Sequence, residues 1–129
     1  MTDGHSPSLL IVDDEADLVS LLCARLGRRG FRTEGAGTAS AALQLMTEHG
    51  FTLVVCDIHL GLGSGIDFFR RTRAQGFVTP FIFLSGSGGL AGYRAELGGD
   101  HLVSFLQKPI DFQELLHTIR RYVTGAAAS

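Results

Sequence analysis

The single lysine of the chain, Lys108, stands directly before Pro109 at the end of the apolar stretch Val103-Ser104-Phe105-Leu106. Carboxylates hold the same setting elsewhere. Asp13 and Asp14 follow Leu9-Leu10-Ile11-Val12, and Asp57 follows Leu53-Val54-Val55-Cys56. Ser85 follows Phe81-Ile82-Phe83-Leu84. In a parallel sheet, strand ends of one sense share one edge, so these groups would meet in one cleft. Carboxylates that close together cannot all stay ionised without a cation. Magnesium suits them, because it favours carboxylate oxygen and bridges readily to phosphate. The compact ammonium of Lys108 matches a phosphoryl oxygen as a point charge, and the Ser85 hydroxyl offers a second contact. A carboxylate can attack phosphorus and form an aspartyl-phosphate, with metal and lysine balancing the transferred charge.

The elements that must position these groups are legible as alternating patterns. Apolar runs of strand length lie near residues 8–12, 31–35, 53–57, 80–85 and 103–107. Those near 8–12, 53–57 and 80–85 are nearly continuous, as expected for strands covered on both faces, whereas Phe31-Arg32-Thr33-Glu34 alternates like an edge strand. Leu18, Leu21, Leu22 and Leu26 recur at helical spacing, with Gly27 or Gly30 to end that helix. Thr38 can cap a second helix carrying Ala42, Leu45 and Met46, stopped at Gly50. A third helix starts near Ser64 with Ile66 and Phe69 on one face. A fourth, around Leu90, Tyr93 and Leu97, is weakened by nearby glycines. Asp111 with Glu114 forms a cap pair for the last, whose stripe is Phe112, Leu115, Leu116, Ile119 and Val123. Strand and helix alternate five times, which predicts an open, mostly parallel α/β sheet with helices on both faces.

Bulk composition narrows the function classes. With 129 residues and 45% hydrophobic side chains, the chain fits one folded domain rather than a disordered one. A net charge of −2 with scattered basic residues gives no stripe for direct nucleic-acid binding. No apolar run approaches the ~20 residues of a membrane span. The N-terminus has no signal pattern, so a cytoplasmic location is expected, with Cys23 and Cys56 as buried free thiols. The domain is expected over residues 7–124, with flexible ends at 1–6 and 125–129.

The motifs Ile11-Val12-Asp13-Asp14-Glu15, Val55-Cys56-Asp57, Gly65, Leu84-Ser85-Gly86 and Leu106-Gln107-Lys108-Pro109 resemble those of the receiver domain of two-component response regulators, in particular the stand-alone chemotaxis type. The resemblance covers nearly the whole chain. It implies a flavodoxin-like (βα)5 fold whose five parallel strands run in the order 2-1-3-4-5. It implies that Asp57 is the phosphoacceptor. Asp14 would ligate Mg2+ directly, Asp13 mostly through water, and Asp57 and the backbone carbonyl of His59 would complete the protein ligands. Lys108 and Ser85 would bind the phosphoryl group, Phe105 would be the switch aromatic, and the Lys108–Pro109 bond would be cis. The implied partner is a histidine kinase or a histidine phosphotransfer protein. The signal would pass to a downstream protein target or to an output domain of a longer chain.

Departures from the family pattern shape further expectations. Leu60-Gly61 stands where Met-Pro is common, and Gly61 with Gly63 should loosen the loop after Asp57. Gly86 replaces a common alanine, and the run Ser85-Gly86-Ser87-Gly88-Gly89 is expected to order only when a phosphoryl group is bound. The stretch from Gly98 to Ser104 is longer than usual. His59 and Ser87 flank the expected path of the hydrolytic water and are candidates for tuning phosphoryl lifetime; the equal alternative for His59 is a solvated loop histidine with no kinetic role. Phe68, Phe69 and Tyr93 read as core, and Arg70, Arg71 and Arg73 as a solvated helix face. The preferred reading is a phosphorylation-dependent switch that catalyses only its own phosphorylation and dephosphorylation. The alternative is a degenerate receiver serving as a docking scaffold, but none of the key residues is missing. A phosphatase would need an aspartate where His59 stands, and a flavin site would need a Ser/Thr/Gly-rich loop where Asp13-Asp14 stand.

Overall fold

The structure is a computed structural model and describes residues 6–86, 90–97 and 99–128. Strands β1 (Ser8–Val12), β3 (Leu53–Asp57) and β6 (Phe81–Ser85) are the near-continuous apolar runs, and almost every residue in them is buried. Strands β2 (Arg32–Ala36) and β7 (Val103–Gln107) are more exposed and form the two edges. All five pair in parallel in the order β2-β1-β3-β6-β7. Counted by these long strands alone, this is the expected 2-1-3-4-5.

Alternation along the central strands divides the interior into two cores. Leu9, Ile11, Leu53, Val55, Ile82 and Leu84 face one side, with Leu22 and Leu26 of helix α1 (Ala16–Gly27) and Leu115, Leu116 and Ile119 of α5 (Phe112–Ala128). Leu10, Val12, Val54, Cys56, Phe81 and Phe83 face the other. There they meet Ala42 and Met46 of α2 (Ala39–Glu48) and Ile66, Phe68 and Phe69 of α3 (Gly65–Ala74). The short α4 (Leu90–Leu97) adds Tyr93 and Leu97 to this second core. On that side Phe68, Phe69, Phe81, Phe83 and Phe105 form a chain of ring contacts with centroids 5.0–5.7 Å apart. Such pairs contribute about 0.5–1.5 kcal/mol each beyond the area they bury.

The caps follow the sequence. Thr38 Oγ1 accepts from Ala41 N at 3.1 Å, and Asp111 Oδ1 accepts from Gln113 N and Glu114 N at 2.9 and 3.2 Å. After α1 the chain reverses through Gly30, whose φ of +94° a side chain would resist. Several expectations need correction. Between Asp57 and α3 the chain does not form a loosened loop. It forms a hairpin, β4 (His59–Leu60) against β5 (Gly63–Ser64). Gly61 at φ +62° opens its two-residue turn, the position at which a type II′ turn requires glycine. Arg73 is not part of a solvated face: its guanidinium lies 4.4 Å from the Phe69 ring and donates to Phe77 O at 3.2 Å. Helix α5 runs on to Ala128. The alanines there have the highest helix propensity. The stretch before β7 closes as a tight turn, with Asp100 Oδ1 accepting from Leu102 N at 2.9 Å.

Candidate functional site

The parallel register brings the carboxyl ends of β1, β3, β6 and β7 to one edge, and the predicted polar groups lie there. Lys108 Nζ donates to Asp57 Oδ2 at 2.8 Å, to Asp13 Oδ2 at 3.1 Å and to Glu15 Oε1 at 3.4 Å. Asp13 is 1% exposed and Asp57 6%, so two carboxylates share one ammonium at the floor of the cleft. Backbone amides fix their other oxygens: Glu15 N donates to Asp13 Oδ1 at 2.9 Å and His59 N to Asp57 Oδ1 at 3.0 Å. Asp14 is exposed at the rim beside Gly61. One carboxylate oxygen from each of Asp13, Asp14 and Asp57 lies within 4.8 Å of the others, a hard-oxygen donor set of the kind magnesium takes.

Electrostatics reflect this crowding. Burial pushes the Asp13 carboxyl above its usual range, although the Glu15 amide and Lys108 both oppose the shift. For Lys108, burial alone would lower the ammonium, but its hydrogen bonds to Asp57 and Asp13 outweigh that and hold it above the ordinary lysine value. The lysine is therefore a fixed cation over the whole neutral range.

Gly65 explains how the cleft stays compact. A Cβ at this position would lie 2.2 Å from Asp57 O and 3.0 Å from Cys56 Sγ. Its amide donates to Ile58 O at 2.6 Å, and the preceding Ser64 Oγ accepts from Ile66 N and Asp67 N. Helix α3 can thus begin directly against the end of β3. Gly86 is different, because a Cβ there would stand 3.9 Å from Lys108 Cδ, an ordinary contact.

Ser85 is buried at the end of β6, and its carbonyl accepts from Lys108 N at 2.8 Å. The peptide bond from Lys108 to Pro109 is cis, as expected. Phe105 is half-buried on β7, away from the carboxylates, and stacks on Phe83 at 5.6 Å. Arg94 of α4 donates to Phe105 O at 3.4 Å and places its guanidinium 6.0 Å from that ring. The His59 side chain is exposed on the hairpin. Ser87 and most of the glycine-rich run lie outside the described residues. Sequence reasoning gave no role to Glu15, the third partner of Lys108; the third acid of Asp13-Asp14-Glu15 was the available signal.

The thiols differ. Burial, then the charges of Asp57 and Asp13, pushes Cys56 well above the ordinary thiol range, while Cys23 is half-buried and raised by burial. Native protein treated with iodoacetamide at pH 8 is expected to leave Cys56 unmodified, whereas the unfolded chain takes up two alkyl groups by mass. Equal labelling rates in both states would contradict the closed packing around Asp57.

Comparison with known proteins returns one family. The profile of the response regulator receiver domain matches residues 9–120. The two-component response regulator PhoP of Pseudomonas aeruginosa is 35% identical over 128 residues, covering 94% of this chain and 55% of its own length. The photosynthetic apparatus regulatory protein RegA of Rhodovulum sulfidophilum is 30% identical, covering 87% and 61%. The chain therefore spans little more than half the length of these relatives. Among solved structures, the non-phosphorylated HemR receiver domain of Leptospira biflexa superposes with a TM-score of 0.77 at 31% identity, covering 92% and 94%. A signal receiver domain of an HD domain-containing protein from Pseudomonas fluorescens gives 0.84 at 26% identity, covering 97% and 100%.

Proposed function

The chain belongs to the response regulator receiver domain family of two-component systems, and from that premise we propose that Asp57 accepts a phosphoryl group from a phosphohistidine on a partner histidine kinase or histidine phosphotransfer protein. Asp57 Oδ attacks phosphorus in line, the P–N bond to the imidazole breaks, and the electron pair leaves with the histidine, which takes up a proton. The observation that carries this reading is the convergence of Lys108 Nζ on Asp57 at 2.8 Å and Asp13 at 3.1 Å. A lysine so held orients the acceptor and stands ready for the charge that arrives on the phosphoryl oxygens.

Asp13, Asp14 and Asp57, with the backbone carbonyl of His59, would hold magnesium, which when bound supplies positive charge to offset the carboxylates and the phosphoryl group. Lys108 and Ser85 then hold the transferred group, and the change passes through β6 and β7 to Phe105 as a shift between two conformations. The domain acts on itself and turns over no separate substrate.

Intact-mass analysis after incubation with acetyl phosphate tests the proposal. One magnesium-dependent phosphoryl adduct is expected on the wild type and none on Asp57→Asn. A folded wild type that gains no adduct from acetyl phosphate or from a phosphorylated histidine donor would favour a docking scaffold instead. His59 is two residues past the acceptor with an exposed ring. His59→Ala is expected to change the first-order loss of the adduct by about threefold, on the scale of one water-mediated contact. An identical rate would make it a solvated hairpin residue with no kinetic part.

A further inference from the structure

Glu15 has an unusual position for an exposed acid. It stands at the N-cap of α1, yet its side chain makes no capping hydrogen bond. Instead its amide is held by Asp13 Oδ1 at 2.9 Å, and its carboxylate crosses the cleft mouth to Lys108 Nζ at 3.4 Å. A lysine ammonium has three N–H donors. Among the described residues the three acceptors of Lys108 are Asp57, Asp13 and Glu15, so every donor has a partner. The Glu15 contact is the longest, and Glu15 is by far the most exposed partner, at 67% against 1% and 9% for the Asp13 and Asp57 side chains.

A phosphoryl group arriving at Asp57 takes over the N–H that pointed at that carboxylate, which loses its charge on becoming an acyl phosphate, and a second N–H for the phosphoryl oxygens must come from the Asp13 or the Glu15 contact. Giving up Asp13 would strip a buried carboxylate oxygen of its charged hydrogen bond with no water to replace it, which is costly even beside a bound metal. Giving up Glu15 returns an exposed carboxylate to water at little cost. We infer that Glu15 is a positioning residue: a placeholder whose carboxylate occupies the Lys108 donor that a phosphoryl oxygen takes over, so that it holds the lysine in register at rest and competes with the incoming group. This rests on the reading of Asp57 as acceptor.

Two substitutions separate contact from charge. Glu15→Asp keeps the charge but loses the reach, and a shorter acid at an N-cap turns readily to its own helix. Glu15→Gln keeps the reach but loses the charge, leaving only a neutral acceptor. The probe is beryllium fluoride with magnesium, an inert stand-in for the phosphoryl group, titrated against each protein and followed by amide NMR. The second-order rate of adduct formation with acetyl phosphate is measured alongside. Both variants are expected to bind the probe about two- to fivefold more tightly than wild type, the size of one exposed ion pair, and to gain similarly in rate. A gain for Glu15→Gln alone would overturn the placeholder in favour of simple charge repulsion. Variants that match or fall below a working wild type would overturn any competing role. A wild type that neither binds the probe nor forms an adduct would instead remove the reading of Asp57, and the inference with it.

Discussion

Gly65→Ala is expected to destabilise the domain by about 3 kcal/mol, the upper part of the range for an overpacked site. The added methyl carbon would stand 2.2 Å from the carbonyl oxygen of Asp57. That oxygen cannot step aside, because Asp57 ends a central strand with every residue buried and pairs with Leu84 of β6. The start of α3 would have to move instead. It would strain the 2.6 Å bond from Gly65 N to Ile58 O and the hairpin that carries the His59 amide. The loss should therefore appear twice, as a lower urea midpoint and as slower phosphorylation of whatever protein remains folded. Gly86→Ala is the control, since its methyl group meets only ordinary contacts, and it should stay within about 0.5 kcal/mol of wild type. A Gly65→Ala protein with an unchanged midpoint would mean that the α3 N-terminus is not pressed against β3.

Lys108→Met is the second large effect, and its size depends on pH. The substitution keeps the side chain's bulk and removes the only cation that touches Asp13 and Asp57 among the described residues. Removing one partner of a buried charged set typically costs several kcal/mol; with protonation available as an escape, about 3 kcal/mol is expected at pH 7 without magnesium. Burial already raises the Asp13 carboxyl above its ordinary value of 3.8 with the lysine present, and the loss of Lys108 raises it further. A folded carboxyl titrating above its unfolded value binds its proton more readily in the native state. Stability is then lost as pH rises through that window and regained as pH falls toward 3.8. The wild-type lysine behaves oppositely: its raised ammonium contributes fully below the ordinary lysine value of 10.5 and is lost only in alkali. Urea melts of the variant should thus converge on wild type at low pH and separate at neutral pH, with magnesium narrowing the gap. A deficit that stays constant from pH 4 to pH 8 would show that packing, not charge, was removed.

Much of this architecture is written plainly in the chain because its strands are buried on both faces. Leu9–Val12, Leu53–Cys56 and Phe81–Leu84 are uninterrupted apolar runs, and each is closed by a polar residue at the cleft edge of the sheet, Asp13, Asp57 and Ser85. The hairpin at His59–Ser64 was illegible for the opposite reason. Its strands are two residues long, and two of its residues are glycines, which weaken strand patterns. Gly61 had a readable meaning as the opening residue of a tight turn, but only once its pairing was known. Arg73 escaped because its long stem lets a charged residue cover Phe69 while its sequence neighbours Arg70 and Arg71 stay exposed. Glu15 escaped because its place as the third of three consecutive acids hinted at the cleft, whereas its N-cap position pointed the side chain to its own helix.

The chain of phenylalanine rings has a consequence for how the molecule can be watched. The chain has no tryptophan, so intrinsic fluorescence is weak, but the rings are concentrated against one core. Methyl groups of Val12, Val54 and Ile66 share that core with them. Those of Leu9, Ile11, Val55 and Leu115 lie in the other, where Phe31 and Phe112 are the buried aromatics. Ring currents should therefore spread the methyl resonances of one face of the sheet far more than those of the other. Phe105 ends the ring chain, so any rearrangement of that side chain would move a recognisable subset of resonances and leave the rest still.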